Sequence, residues 1–127
     1  MAEASLVSVV DDDESVRESL PDLLREFGYR ARTFSSAEEF LVSDCIGETD
    51  CLILDIAMPG MSGPDLKREL AHRGFKIPIV FITAHGDETV RPRMLAQGAV
   101  ECLFKPFSDA ALQQALDAAL KRDNLAP

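Results

Sequence analysis

At 127 residues, with 46% apolar and 28% charged side chains, the chain has the size and balance of one globular domain. A formal net charge of −9 repels DNA phosphates and anionic lipid, and it favours a basic or locally complementary protein partner over direct nucleic-acid binding. No run approaches the roughly 18 apolar residues of a membrane span, and residues 1–5 lack the basic-then-apolar build of an export signal, so a cytoplasmic protein is expected.

Five short apolar runs, 6–10, 29–34, 51–54, 77–82 and 100–104, alternate with helical patterns. After the first run, Val16, Leu20, Leu23, Leu24 and Phe27 trace one buried helix face, and Gly28 stops the helix. Pro21 is its flaw, because an interior proline removes a backbone hydrogen bond and costs about 3 kcal/mol unless the helix bends. Ser36 followed by Glu39 predicts a capped, short second helix with Ala37, Phe40 and Leu41 on its apolar side. A third helix begins near Pro64 and carries Leu66 and Leu70. A fourth, over 87–96, is interrupted by Pro92. The last follows Ser108 and buries Leu112, Leu116, Ala119 and Leu120, leaving 121–127 as a tail or the start of a linker. Continuous apolar strands are covered on both faces, and βα alternation requires right-handed crossovers, so one doubly wound, five-stranded parallel α/β domain over 1–127 is predicted.

Ligands of such sheets bind outside the carboxyl ends of the strands. Asp11 and Asp12 end the first strand in VSVVDDDE, Asp55 the third in CLILDIAMPGMSG, Thr83 the fourth in VFITAHG and Lys105 the fifth in ECLFKPF. Crowded carboxylates raise one another's pKa unless a cation neutralises them, and an all-oxygen set suits Mg²⁺ or Mn²⁺. With such an ion, Asp55 is a carboxylate nucleophile for phosphorus, and Lys105 and Thr83 supply charge and a hydroxyl donor. Taken singly, each of these residues has a plainer reading. The acids could be solvated loop residues or helix caps, Lys105 a surface lysine and Thr83 a strand residue. Independent capping does not explain their shared edge.

With VVDDDESVR, LILDIAMPGMSG, ITAHG and LFKPF in this order, the sequence resembles the receiver domains of two-component response regulators, and the wording of AMPGMSG, TAHGD and GAVECLFKPF is similar to their FixJ-like branch. The resemblance implies a flavodoxin-like sheet of strand order 2-1-3-4-5 and a phosphorylation switch. Asp55 is then the phosphoacceptor, Asp11, Asp12, Asp55 and the Ala57 carbonyl hold Mg²⁺ or Mn²⁺, and Thr83 and Lys105 sense the phosphoryl group. It also implies a sensor histidine kinase or histidine phosphotransferase as donor, a cis peptide before Pro106, and an output domain or homodimer using the fourth helix, fifth strand and fifth helix.

Two departures stand out. Cys102 occupies the place of the aromatic residue that changes rotamer in relatives, and it reads as a small buried hydrophobe or a redox-sensitive thiol. Pro92 breaks the stripe that the fourth helix would present. His85 is either a solvated loop histidine or a group that controls water near the phosphoryl site. Cys45, Cys51 and Cys102 have irregular spacing and no CxxC, so they read as reduced thiols, not zinc ligands. Two rivals remain: a Mg²⁺-dependent phosphatase with an aspartyl nucleophile, and a pseudo-receiver that only binds a partner. The phosphatase would use a second aspartate two residues after the first, where Ala57 stands and can move no proton.

Overall fold

The computed structural model describes residues 4–124, with the side chains of 121–124 left aside. Residues 1–3, part of the segment read for an export signal, and 125–127, part of the expected tail, lie outside the described residues. The elements run β1 (Leu6–Val10), α1 (Glu14–Glu26), β2 (Arg30–Phe34), α2 (Ala37–Leu41), a 3₁₀ turn (Ile46–Glu48), β3 (Cys51–Asp55), α3 (Gly63–His72), β4 (Ile79–Thr83), α4 (Val90–Ala96), β5 (Glu101–Phe104) and α5 (Asp109–Asn124). All pairings are parallel and the strand order is β2-β1-β3-β4-β5, as expected.

Alternate residues of the central strands feed two cores. Val7, Val9, Cys51, Ile53, Val80 and Ile82 pack with Leu20 and Leu24 of α1 and Leu112 and Leu116 of α5. Val10, Leu52, Leu54 and Phe81 pack on the other face with Phe40, Leu66, Leu70 and Met94 from α2, α3 and α4. Both faces of β1, β3 and β4 are fully buried, which is why these strands read as unbroken apolar runs.

Local sequence explains most boundaries. Asp13 caps α1 by accepting from the Ser15 N–H, and Gly28 leaves the helix with φ +95°, a conformation that costs glycine little. The helix is continuous through Pro21. Ser36 caps α2 by accepting from Glu39 N–H, while the Glu39 carboxylate accepts from Ser35 Oγ.

One expectation is corrected. Pro92 does not interrupt α4: the helix starts at Val90, so Pro92 is its third residue, where a backbone N–H has no intrahelical acceptor to lose. The start moves from 87 to 90 because Asp87 folds the preceding turn, its carboxylate accepting from both Thr89 N–H and Thr89 Oγ. Helix α5 runs through Asn124, into the segment expected as a tail or the start of a linker.

Candidate functional site

The sheet register builds the site. Val10 lies beside Leu54, Asp55 beside Ile82 and Thr83 beside Phe104, so β1, β3, β4 and β5 end at nearly one level. The residues that end or follow these strands are Asp11 and Asp12, Asp55, Thr83 and Lys105, which brings every predicted site side chain to one edge. Asp11, Asp55 and Thr83 are buried there, whereas Asp12 is exposed. Asp12, Asp55, Ala57, His85 and Lys105 line one cavity of about 200 Å³.

Oxygen atoms of Asp11, Asp12 and Asp55 lie within 4.8 Å of one another. Burial first, and then the charge of Asp11, push the Asp55 carboxyl up from 3.8 to about 7, against the opposing pull of Lys105. The Lys105 ammonium pairs with Asp11 Oδ2 at 2.8 Å. Burial opposes its charge, but the hydrogen bond and attraction of Asp11, followed by Asp55, hold its pKa above the ordinary lysine value. The three carboxylates thus gather beside Lys105, with the Arg17 guanidinium on the Asp11 carbonyl. Asp11 Oδ2 is buried and, apart from this ion pair, meets no donor in hydrogen-bonding geometry among the described residues. An oxygen-only, over-negative cluster with such an atom fits a hard divalent cation such as Mg²⁺ or Mn²⁺.

The backbone around the cluster is closely fitted. The Asp11 N–H donates to Phe34 O and the Asp11 carbonyl accepts from Arg17, so neighbouring elements fix it. After Asp55 the chain turns sharply, and Gly63 N–H donates to Ile56 O at 2.9 Å. A Cβ at Gly63 would lie 2.3 Å from the Asp55 carbonyl oxygen, so the close return of α3 onto the end of β3 requires glycine. Ser62 and Asp65 form a reciprocal capping box at the start of α3. Thr83 Oγ1 accepts from His85 N–H, Lys105 N–H donates to Thr83 O, and the Lys105–Pro106 bond is cis, as expected.

Sequence reasoning missed three supports of this edge. The Ser62–Asp65 cap has a visible S-x-x-D signal just before the apolar helix face. The Glu38 carboxylate, which accepts from Met61 N–H in the loop after Asp55, has no signal because 23 positions separate the partners. Phe104, one residue before Lys105, is a large exposed hydrophobe whose ring lies where a Cβ on Gly86 would be, 2.1 Å from that position. Cys102 is buried, and burial and then Glu101 raise its thiol pKa, which favours the small-hydrophobe reading over a reactive thiolate. Among the described residues, Cys45, Cys51 and Cys102 form no disulfide. No helix among the described residues is long and apolar enough to cross a membrane.

Comparison with known proteins agrees with this architecture. Residues 7–117 match the response regulator receiver domain family. Nodulation protein W of Bradyrhizobium diazoefficiens is 46% identical over 119 residues, covering 94% of this chain and 52% of that protein. Transcriptional regulatory protein FixJ of Azorhizobium caulinodans is 39% identical over 122 residues, covering 96% of this chain and 58% of that protein. The chain thus spans little more than half the length of these curated relatives. Among solved structures, the response regulator StyR superposes with a TM-score of 0.86 at 45% identity, covering 95% of this chain and 61% of that one. FixJ-N superposes with a TM-score of 0.82 at 34% identity, covering 94% and 96%. The chain belongs to the receiver domain family of response regulators, the phosphorylation-dependent switches of two-component systems.

Proposed function

We propose that Asp55 is the phosphoacceptor and that a sensor histidine kinase or histidine phosphotransferase is the donor. The observation that carries this reading is the crowding of Asp55 with Asp11 and Asp12 at a buried strand end, where Lys105 pairs with Asp11. Asp11, Asp12, Asp55 and the Ala57 carbonyl would hold Mg²⁺ or Mn²⁺. When bound, the ion supplies positive charge that keeps Asp55 ionised and neutralises phosphoryl oxygens.

An oxygen of ionised Asp55 attacks the phosphorus of a phosphohistidine. The P–O bond forms as the P–N bond breaks, and the leaving imidazole nitrogen keeps the electron pair and takes a proton from solvent. Lys105 then exchanges its contact with Asp11 for the new phosphoryl charge, and the Thr83 hydroxyl turns toward it. These shifts bias the β4–α4 loop and the face formed by α4, β5 and α5. The continuity of α4 from Val90 supports that face as the output surface, used by an attached output domain or a second copy. Relatives named as transcriptional regulators favour an attached domain that binds DNA in place of this acidic one. A cytoplasmic setting fits such partners and cysteines that form no disulfide among the described residues.

Ala57, with no proton to transfer, supports a slowly hydrolysed phosphoaspartate over rapid turnover. His85 lines the same cavity, which supports a part for it in how water reaches the phosphoryl group. To test the reading, label a histidine kinase with radioactive phosphoryl groups and mix it with this chain and Mg²⁺. Transfer of one equivalent, absent in Asp55→Asn, is expected. Sustained hydrolysis of a phosphomonoester, abolished by the same substitution, would instead establish a phosphatase.

A further inference from the structure

The loop between β3 and α3 carries Ala57, whose carbonyl the proposed metal site uses, and Met58, whose side chain is buried in the core. The loop's far end is fixed by the Ser62–Asp65 capping box and by Gly63 against the Asp55 carbonyl. Between them stand Pro59, Gly60 and Met61. Gly60 has φ +76°, and a Cβ there would lie 2.7 Å from Glu38 Oε2. The same Glu38 oxygen accepts from Met61 N–H at 3.1 Å, so a side chain of α2 reaches across to hold a loop of the site's own strand. Nothing in the fold of α2 needs this contact, because the helix is already capped by Ser36 and anchored by Phe40 and Ala37 in the core.

We propose that Glu38 is a positioning residue for the metal and phosphoryl site, setting the β3–α3 loop so that the Ala57 carbonyl stays at the edge shared with Asp55. The inference rests on the metal reading above. Glu38 takes no part in chemistry. Its acceptance of one backbone hydrogen bond narrows the loop's conformations before the cation arrives, at a turn where Gly60, with φ +76°, adopts a conformation that favours glycine.

Mn²⁺ binding, counted by the electron paramagnetic resonance of the free ion, separates the possibilities. Wild type, Glu38→Ala, Glu38→Gln and Asp12→Ala should be titrated, with thermal melting recorded in the absence of metal. Glu38→Ala is expected to weaken Mn²⁺ binding about three- to tenfold with little change in melting. Glu38→Gln, which keeps an acceptor oxygen, is expected to retain most of the affinity. Wild-type affinity in Glu38→Ala overturns the proposal while Asp12→Ala still loses binding. Equal losses in Glu38→Ala and Glu38→Gln also overturn it, since they would mean that the carboxylate acts by long-range charge alone. If Asp12→Ala binds as tightly as wild type, the metal reading itself falls and this inference goes with it.

Discussion

Replacing Asp55 with Asn should stabilise the metal-free protein at pH 8 and lose that advantage when Mg²⁺ is added. Burial and Asp11 raise the Asp55 carboxyl from 3.8 to about 7. Between about pH 4 and 7 the folded chain therefore holds a proton that the unfolded chain has released, so this group's contribution falls as pH rises and is most unfavourable above 7. At about 1.4 kcal/mol per pH unit, the gap between those two values sets a ceiling of about 4 kcal/mol. The neighbouring Asp12 is exposed, so water and counter-ions reach the cluster, and about 2 kcal/mol is the more realistic expectation. In a domain of this length that corresponds to roughly 5 to 10 °C in melting temperature. Thermal unfolding of wild type and Asp55→Asn in EDTA, at pH 5 and pH 8, should show a variant advantage that grows with pH. Millimolar Mg²⁺ should then raise wild type more than the variant, which has lost one ligand charge. Equal melting at pH 8 in EDTA, or an advantage that shrinks as pH rises, would refute the claim that the cluster is electrostatically unfavourable when metal-free.

Lys105→Ala leaves Asp11 buried without its ion pair and should cost about 3 kcal/mol in metal-free urea unfolding, with part of the loss recovered by Mg²⁺. Gly63→Ala drives a Cβ into the Asp55 carbonyl at 2.3 Å; phosphoryl acceptance should drop at least tenfold and the melting temperature should fall, since backbone must move. Cys102 should resist modification by a thiol reagent under native conditions and react freely in urea, because burial and Glu101 keep its thiol protonated. Native labelling of Cys102 at the rate of an exposed thiol would revive the redox-sensor reading.

The fold was legible because buried parallel strands leave a plain trace. Runs such as CLIL and VFI bury every residue, and the helices between them show their apolar faces at helical spacing. The candidate site was legible for a topological reason: each chemical residue ends or follows a strand, and the sheet brings strand ends together whatever the loops do. Boundaries that depend on side-chain hydrogen bonds were harder to read. The β4 strand begins at Ile79 and not at Ile77, because Pro78 intervenes and cannot donate to a ladder, although its carbonyl accepts from Leu52 N–H. Pro92 suggested a break only because the start of α4 was placed too early; once Asp87 closes its own turn with Thr89, the proline falls in the first helical turn. The buried hydrogen bond between Ser8 and Thr49 and the reach of Glu38 to Met61 join residues 41 and 23 positions apart, and no local pattern records such meetings.

The central claim concerns one carboxylate among three that lie within 4.8 Å of one another, so the decisive measurement identifies which of them is modified. The protein is incubated with Mg²⁺ and a small phosphodonor, the acyl phosphate is reduced with borohydride, and the residue converted to homoserine is located by tandem mass spectrometry. Conversion at position 55 alone, lost in Asp55→Ala, is the predicted result. Conversion at Asp11 or Asp12, or none under conditions that label a known receiver domain, would contradict the account.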